Sequence, residues 1–383
     1  MLLIRNGTVH TMTGDAPKKR DILIEDGKIL DIAKGIDAPA GDAEVICADG
    51  LQVYPGFIDA HSHVGISQEK LGEDGNDCNE YTNPVTPCMR AIDAINPMDS
   101  AFHNAVASGV TSAMIGPGSA NVIGGQFAFL KLYGRDVSRT TVLAPAAMKV
   151  AFGENPKNQY GSNGSMPATR MAIASLLREA LFDARAYYTQ RREGDSSFQQ
   201  EFEQECYVPL FDGTIPLKAH VHRADDILTA IRIAREFGVG LTLDHCTEGH
   251  LIPEEIAESG FPAIVGPSLA ARSKIEVCHS DFKTAGILHD AGVLVALTTD
   301  HPVSRLQYLP LCAALAAKEG LGREAALEAI TINAAKICRV DSRVGSLEPG
   351  KDADIVITDG DPLEIFTNVC YTIIDGNVIY RRG

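Results

Sequence analysis

The chain has 383 residues, with 34 Lys and Arg against 50 Asp and Glu, and a formal net charge of -16. So acidic a surface repels polyphosphate and anionic lipid, which excludes nucleic acid and membrane surfaces as partners and leaves a small molecule as the expected one. Hydrophobic residues at 45% and charged residues at 22% describe a globular chain whose core needs no disulfide staples.

The length suits an α/β barrel with a smaller companion domain better than one average domain. No apolar run is long enough to span a bilayer. The opening residues Met1 to Met12 lack the basic-then-apolar order of a secretion signal. The nine cysteines are odd in number and form no Cys-x-x-Cys pair. They read as reduced thiols in a cytoplasmic protein.

In chain order, residues 21–30 predict two strands around Asp26-Gly27, a dipeptide suited to the positive φ angles of a tight hairpin. Residues 371–380 repeat the pattern around Asp375-Gly376, and residues 353–357 add a further β run. Either these are unrelated hairpins, or both ends build one small β-domain into which the middle of the chain is inserted. The middle alternates short apolar runs with amphipathic ones. Strands are predicted at Val53–Ala60, Val110–Ile115, Ala146–Phe152, Pro216–Val221, Val239–His245, Pro262–Val265 and Leu294–Thr299, with an eighth around Ala120–Leu132. A helix is predicted at Asp225–Phe237 from the spacing of its apolar residues. Strand–helix alternation argues for a parallel sheet covered by helices. Eight strands favour an α/β protein of the (β/α)₈ TIM-barrel type over an open doubly wound sheet. No Gly-x-Gly-x-x-Gly opens a helix after the first strand, which weakens a dinucleotide-binding reading. The polar, helix-forming stretch Met166–Arg192, followed by Gly194–Cys206, is too long for an ordinary βα connection. It reads as a lid, a homo-oligomer contact or a solvated helical insert.

His61 and His63 follow the first apolar run, and an i, i+2 pair on a strand points both side chains to one face. At the C-terminal mouth of a barrel strand that places two imidazoles side by side. His220, His245 and Asp300 end later strands, and each is a nitrogen or oxygen ligand suited to zinc or a similar divalent ion. Near this mouth, His222, Arg223 and His301 are candidates for substrate contact, Arg223 as a bidentate clamp for a carboxylate. Arg223 reads equally well as a salt bridge to the helix that follows it. Gly124-Gly125-Gln126 reads as a tight loop near the site.

Two segments carry a resemblance. Residues 55–63, Pro-Gly-Phe-Ile-Asp-Ala-His-Ser-His, resemble the entry motif of the amidohydrolase superfamily. Residues 345–356, Gly-Ser-Leu-Glu-Pro-Gly-Lys-Asp-Ala-Asp-Ile-Val, resemble the segment where such chains leave the barrel. The resemblance covers essentially the whole chain. It implies a β-sandwich domain from residues 1–54 and 341–383, and a metal-dependent barrel over 55–340 with a helical insert at about 155–209. Within the superfamily the chain is similar to the imidazolonepropionase- and prolidase-like branch, on Lys218 to His222 and on Asp244-His245; neither named activity is assigned. Members bridge two metals with a carboxylated lysine on the fourth strand, use a glutamate, or have no ligand there. Ala147 to Phe152 resembles the lysine version, which makes Lys149 the preferred ligand and Glu154 the alternative.

The expected cofactor is one or two divalent ions held by His61, His63, Lys149 or Glu154, His220, His245 and Asp300. Zinc is the first choice, and manganese, iron and cobalt suit the same donors. The expected reaction is hydrolysis of an amide, cyclic amide or peptide-like C–N bond by a metal-activated water, with Asp300 as general base and then acid. The alternatives are a ring deaminase of the same superfamily and a non-catalytic metal-binding assembly protein.

Overall fold

A computed structural model describes residues 1–37, 43–69, 71–194 and 198–383. Part of the predicted stretch Gly194–Cys206 therefore lies outside the described residues. The chain forms two eight-stranded sheets. The first is built from both ends of the chain: β1 (Leu2–Val9), β2 (Lys18–Glu25), β3 (Lys28–Ala33), β4 (Glu44–Cys47) and β5 (Gln52–Pro55) join β14 (Ile355–Thr358), β15 (Val369–Ile374) and β16 (Asn377–Arg381). The join is the antiparallel pairing of β5 with β14, where Val53 faces Ile357. Both predicted Asp-Gly hairpins are present, between β2 and β3 and between β15 and β16. They belong to one sheet, not to two unrelated units.

The second sheet is the barrel: β6 (Phe57–Ser62), β7 (Val110–Ile115), β8 (Ile123–Lys131), β9 (Thr141–Ala151), β10 (Leu217–Val221), β11 (Leu241–His245), β12 (Ala263–Val265) and β13 (Val295–Leu297), paired in that order. All eight predicted barrel strands are found. The predicted strand Val53–Ala60 is in fact two, β5 in the terminal sheet and β6 in the barrel. Gly56 sits at the break, where a Cβ would lie 2.1 Å from the Thr111 hydroxyl.

One strand departs from simple alternation. β8 runs antiparallel to both β7 and β9. Its connections, residues 116–122 and 132–140, are shorter than the dozen or more residues a parallel crossover needs. The chain therefore turns back, and no crossover helix covers this side. Elsewhere helices do cover the sheet, for example Ala224–Phe237 between β10 and β11. That helix carries Asp225 and Asp226 in its first turn and ends on Gly238 in the left-handed conformation, as capping physics expects. Ile58, Ala60, Phe127, Phe129, Ile264 and Ala296 pack together as a buried core cluster among the barrel strands.

The predicted long insert is the helix Arg170–Glu193, capped by the Thr169 side chain and stopped at left-handed Gly194. It lies against Ala224–Phe237. Arg170 bonds Asp226 at 2.9 and 3.1 Å, and Arg178 bonds Glu236 at 2.8 Å. The insert's long helix is thus a second layer on the outside of the barrel. Among the described residues, no helix is long and apolar enough to cross a membrane.

Gly124-Gly125-Gln126 is not a loop. All three residues lie within β8, and Gly125 pairs with Lys149. Gly125 has φ +118, and a Cβ there would meet the Met89 carbonyl oxygen at 2.4 Å. Gly125→Ala is therefore expected to cost about 1–3 kcal/mol of stability through backbone displacement. A urea midpoint equal to wild type would count against that close approach.

Candidate metal centre and active site

Closure of the barrel builds the site. Among the described residues no backbone ladder joins β13 to β6; side-chain bonds and one backbone bond close the seam. Thr298 Oγ1 donates to the His61 carbonyl at 2.5 Å and accepts from the Asp300 amide at 2.9 Å. Buried Asp59 accepts from Thr299 N and Oγ1 at 3.0 and 2.6 Å, and the His63 amide donates to the His301 carbonyl at 3.0 Å. These bonds set Asp300 beside the first-strand histidines. Asp300 Oδ1 lies 3.2 Å from His63 Nε2 and 3.6 Å from His61 Nε2.

The histidines are oriented from behind. His61 Nδ1 meets Asp244 Oδ2 at 2.7 Å, His63 Nδ1 meets the Gly116 carbonyl at 2.6 Å, and His245 Nδ1 meets the Gly266 carbonyl at 2.8 Å. Each acceptor fixes the proton on Nδ1 and turns the Nε2 lone pair away, the arrangement typical of metal-ligating imidazoles. Asp244 is itself held by Lys218 Nζ at 3.1 Å, and Lys218 also donates to the Ala60 carbonyl at 2.9 Å.

Neighbouring residues of an extended strand point opposite ways, yet both Asp244 and His245 reach His61; the rings of His61 and His245 are 5.0 Å apart. The left-handed φ of 72° at His245 makes this turn, and Asp300 is also left-handed, at φ 51°. Such strain persists only where the surroundings over-determine it and gathers at functional sites.

Among the described residues two donor groups result, His61–His245–Asp300 and His220–His222–His245, with the ligand atoms of each within 4.8 Å of one another. They share His245. Its buried Nε2 and the buried Oδ1 of Asp300 have no hydrogen-bond partner among the described residues. Buried polar atoms left unpaired are costly unless something occupies them, and the donor set fits one or two divalent ions. Lys149 lies fully buried alongside, its Nζ 3.4 Å from His61 Nε2. Burial pulls its pKa down to about 8, against the opposing pull of Asp244 and Asp300.

Burial also lowers the pKa values of His61, His220 and His245 well below 6.5, with neighbouring positive groups adding to the effect, and takes His222 to about 4. Burial alone would raise Asp300, but His245, His63 and Lys149 hold its carboxyl below the usual range. Depressed histidine pKa values mean that the unfolded chain binds more protons than the folded one in acid. The histidines' contribution is complete above about pH 6.5 and is lost as pH falls toward 4. The metal-free protein is thus expected to show a falling thermal midpoint over that window, and a midpoint constant from pH 7 to 4.5 would contradict it.

The donor groups open onto a cavity of about 270 Å³, lined in part by His63, His220, His222 and Asp300 and also by Asn155 and Lys274. Of the sequence candidates, His61, His63, Lys149, His220, His245 and Asp300 come together. His222, expected to touch substrate, stands among the donors, with its ring 4.5 Å from that of His220. Three candidates fall outside. Glu154 starts the helix Glu154–Gly161, and its carboxylate takes a bond from Asn158 at 3.4 Å, not a place in either donor group. Arg223 forms a fork on Asp225 at 2.9 and 3.1 Å and does not line the cavity. His301 is fully buried behind His63, its Nδ1 accepting from the Leu306 amide, and does not line the cavity either.

Glu276 was missed by sequence reasoning. It is buried in the loop after β12, with Oε1 3.7 Å from the Nε2 atoms of His220 and His222 and 2.5 Å from Lys274 Nζ. Its partner Lys274 also bonds Asn155 Oδ1 at 2.8 Å. No local pattern marks a loop glutamate. Lys218 did carry a signal: it alternates with His220 on β10 and so shares its face.

A family model described as "Amidohydrolase family" matches residues 203–379. The crystal structure of an amidohydrolase from Thermotoga maritima MSB8 is 41% identical, covers 100% of both chains and superposes with a TM-score of 0.95. This chain belongs to the amidohydrolase superfamily. Among curated relatives, the amidohydrolase tasK of Hapsidospora irregularis is 30% identical over 93% of this chain; this amidohydrolase spans only 39% of that protein's length. The imidazolonepropionase of Salinispora tropica is 26% identical over 91% of this chain and 89% of its own. With the barrel and its strand-rich terminal sheet, this membership identifies the chain as an enzyme of the superfamily.

Proposed function

We propose that this amidohydrolase hydrolyses a C–N bond of an amide, cyclic amide or peptide-like small molecule, with one or two divalent ions in the His/Asp cluster. The observation that carries this reading is Asp300: an ionised carboxylate at the cavity wall, beside three histidines whose Nδ1 atoms are tied off from behind. A divalent ion held by these histidines and Asp300 would supply an activated water and polarise the scissile carbonyl. Asp300 takes the proton of the attacking water on its carboxylate and returns it to the leaving nitrogen. Asp244 and Lys218 keep His61 in one tautomer. The cavity volume suits a small molecule and not a folded protein.

Lys149 is the fourth-strand residue in this reading. Its lowered pKa leaves part of the side chain as free amine at neutral pH, the form that adds carbon dioxide and releases a proton to become a carbamate, which would serve as an oxygen ligand. The carbamate replaces a costly buried cation with an anion among ligands. Carbon-13 NMR after equilibration with labelled bicarbonate is expected to show a carbamate carbon that is absent from Lys149→Met. Identical spectra would leave Lys149 an ordinary buried lysine.

A ring deaminase is the second reading, and Glu276 favours it, because it brings a carboxylate to the fifth-strand histidines from the loop after β12. Purified protein assayed for bound metal and for turnover of two panels, N-acyl amino acids with cyclic amides and aminated purines with pyrimidines, tests both. Release of a carboxylic acid from the first panel supports hydrolysis. Ammonia from the second supports deamination. Stoichiometric metal with no turnover in either supports a binding role and overturns both.

A further inference from the structure

The odd count of cysteines conceals a pair. Cys206 lies between the short helices Phe202–Glu205 and Val208–Phe211 of the insert, and Cys88 lies in the long loop between β6 and β7. They are 118 positions apart in sequence, yet their Sγ atoms are 2.7 Å apart. Non-bonded carbon atoms pack best at about 3.5–4.0 Å, and sulfur is larger, whereas a disulfide measures about 2.05 Å. The two sulfurs therefore stand inside non-bonded contact and short of a bond. Both thiols also point at one acceptor, the Phe202 carbonyl, at 3.7 Å from Cys88 and 3.3 Å from Cys206. Each residue is half-buried, so a small oxidant can reach the pair, while the packing around it holds the geometry.

We propose that Cys88 and Cys206 form a reversible disulfide that fastens the helical insert to the barrel loop. With a low-molecular-weight disulfide such as oxidised glutathione as co-reactant, one protein thiolate attacks the glutathione disulfide, forms a mixed disulfide and releases one glutathione thiolate. The second protein thiolate then attacks the mixed disulfide at the protein sulfur and releases the other. Two cysteine thiols are oxidised, one glutathione disulfide is reduced to two glutathiones, and the two protons pass to the released sulfurs. Burial raises both thiols, Cys206 to about 12, so the exchange runs faster in mild alkali.

The bond would act next to a constrained place. Met89 follows Cys88, and its carbonyl accepts from the Gln126 amide at 2.7 Å, beside the Gly125 that pairs with Lys149. A covalent tie at Cys88 thus ends one residue from the contact that clamps β8.

The test uses the full chain, oxidised with glutathione disulfide at pH 8.5, quenched in acid, alkylated in denaturant and mapped as peptides without reduction. The free-thiol count is expected to fall by two from nine, with a Cys88–Cys206 linked peptide that dithiothreitol removes. In Cys88→Ser that peptide is absent and Cys206 joins no other cysteine. Recovery of both residues as alkylated thiols, as glutathione adducts that never resolve, or linked instead to exposed Cys47 or Cys278 overturns the proposal.

Discussion

Asp300→Asn is expected to lower kcat by roughly 10²- to 10⁴-fold on the substrate found by the assays above, the range removed with a general acid–base group. The substitution is close to isosteric, and Asn tolerates the left-handed φ of 51° that position 300 adopts. The fold should therefore survive, and a side-chain oxygen remains to face the ion. Metal content measured by mass spectrometry is expected to stay within twofold of wild type. Because Asp300 is held below the usual carboxylate range, it is already ionised in mild acid. An acid limb near pH 6 in the wild-type profile would therefore belong to another group. Turnover within tenfold of wild type, with metal bound, would remove Asp300 from the proton path.

The largest expected loss of stability lies away from the site. Lys131, at the end of β8, is almost fully buried. Its Nζ donates to Asp352 Oδ2 at 2.7 Å and Asp354 Oδ1 at 3.1 Å, and also pairs with Asp375. Asp352 takes further bonds from Arg343 and Lys28, and Asp375 takes one from Tyr133. One barrel lysine thus holds three carboxylates of the terminal sheet and its entry segment. Lys131→Met removes the buried cation from Asp354 and leaves Asp352 and Asp375 only their outer partners, and it is expected to cost about 3–5 kcal/mol, the effect of removing one partner of a buried ionic cluster. Burial already raises the Asp354 carboxyl to about 6, above its unfolded value, and losing the lysine pushes it further up. The variant should then be less impaired at pH 5 than at pH 8, because protonation relieves the unpaired charge. Adding Asp354→Asn should recover part of the loss. A urea midpoint within error of wild type at pH 8 would show the cluster to be energetically neutral.

The same cluster explains one of the sequence motifs. Asp352 and Asp354 belong to the segment by which the family resemblance was recognised, and their task is to grip Lys131. Nothing in the spacing of residues 345–356 names that distant partner, so the motif was readable and its physics was not. His61, His63, His220, His245 and Asp300 were readable because each closes a short apolar run, and barrel strand ends converge at one mouth. Their supports were harder to see: a left-handed residue at His245 breaks strand alternation, and Glu276 arrives from a loop. Arg223 and His301 sit next in sequence to site residues but not in the cavity, since a tight turn sends neighbours different ways. The reversal of β8 was also invisible, because an apolar run reads the same in either direction. Only the shortness of its two connections hinted at it.

The terminal sheet has a consequence for synthesis. During translation β1 to β5 emerge first, yet the β5 edge has its antiparallel partner only once Ile355–Thr358 leaves the ribosome. The whole barrel is made in between. The early strands must wait with an open edge, a state prone to pairing with other chains. Contacts between the two ends of a chain also slow folding. The last few dozen residues therefore act as the latch of the molecule, and a nascent chain stalled just before them would carry a barrel whose companion sheet could not close.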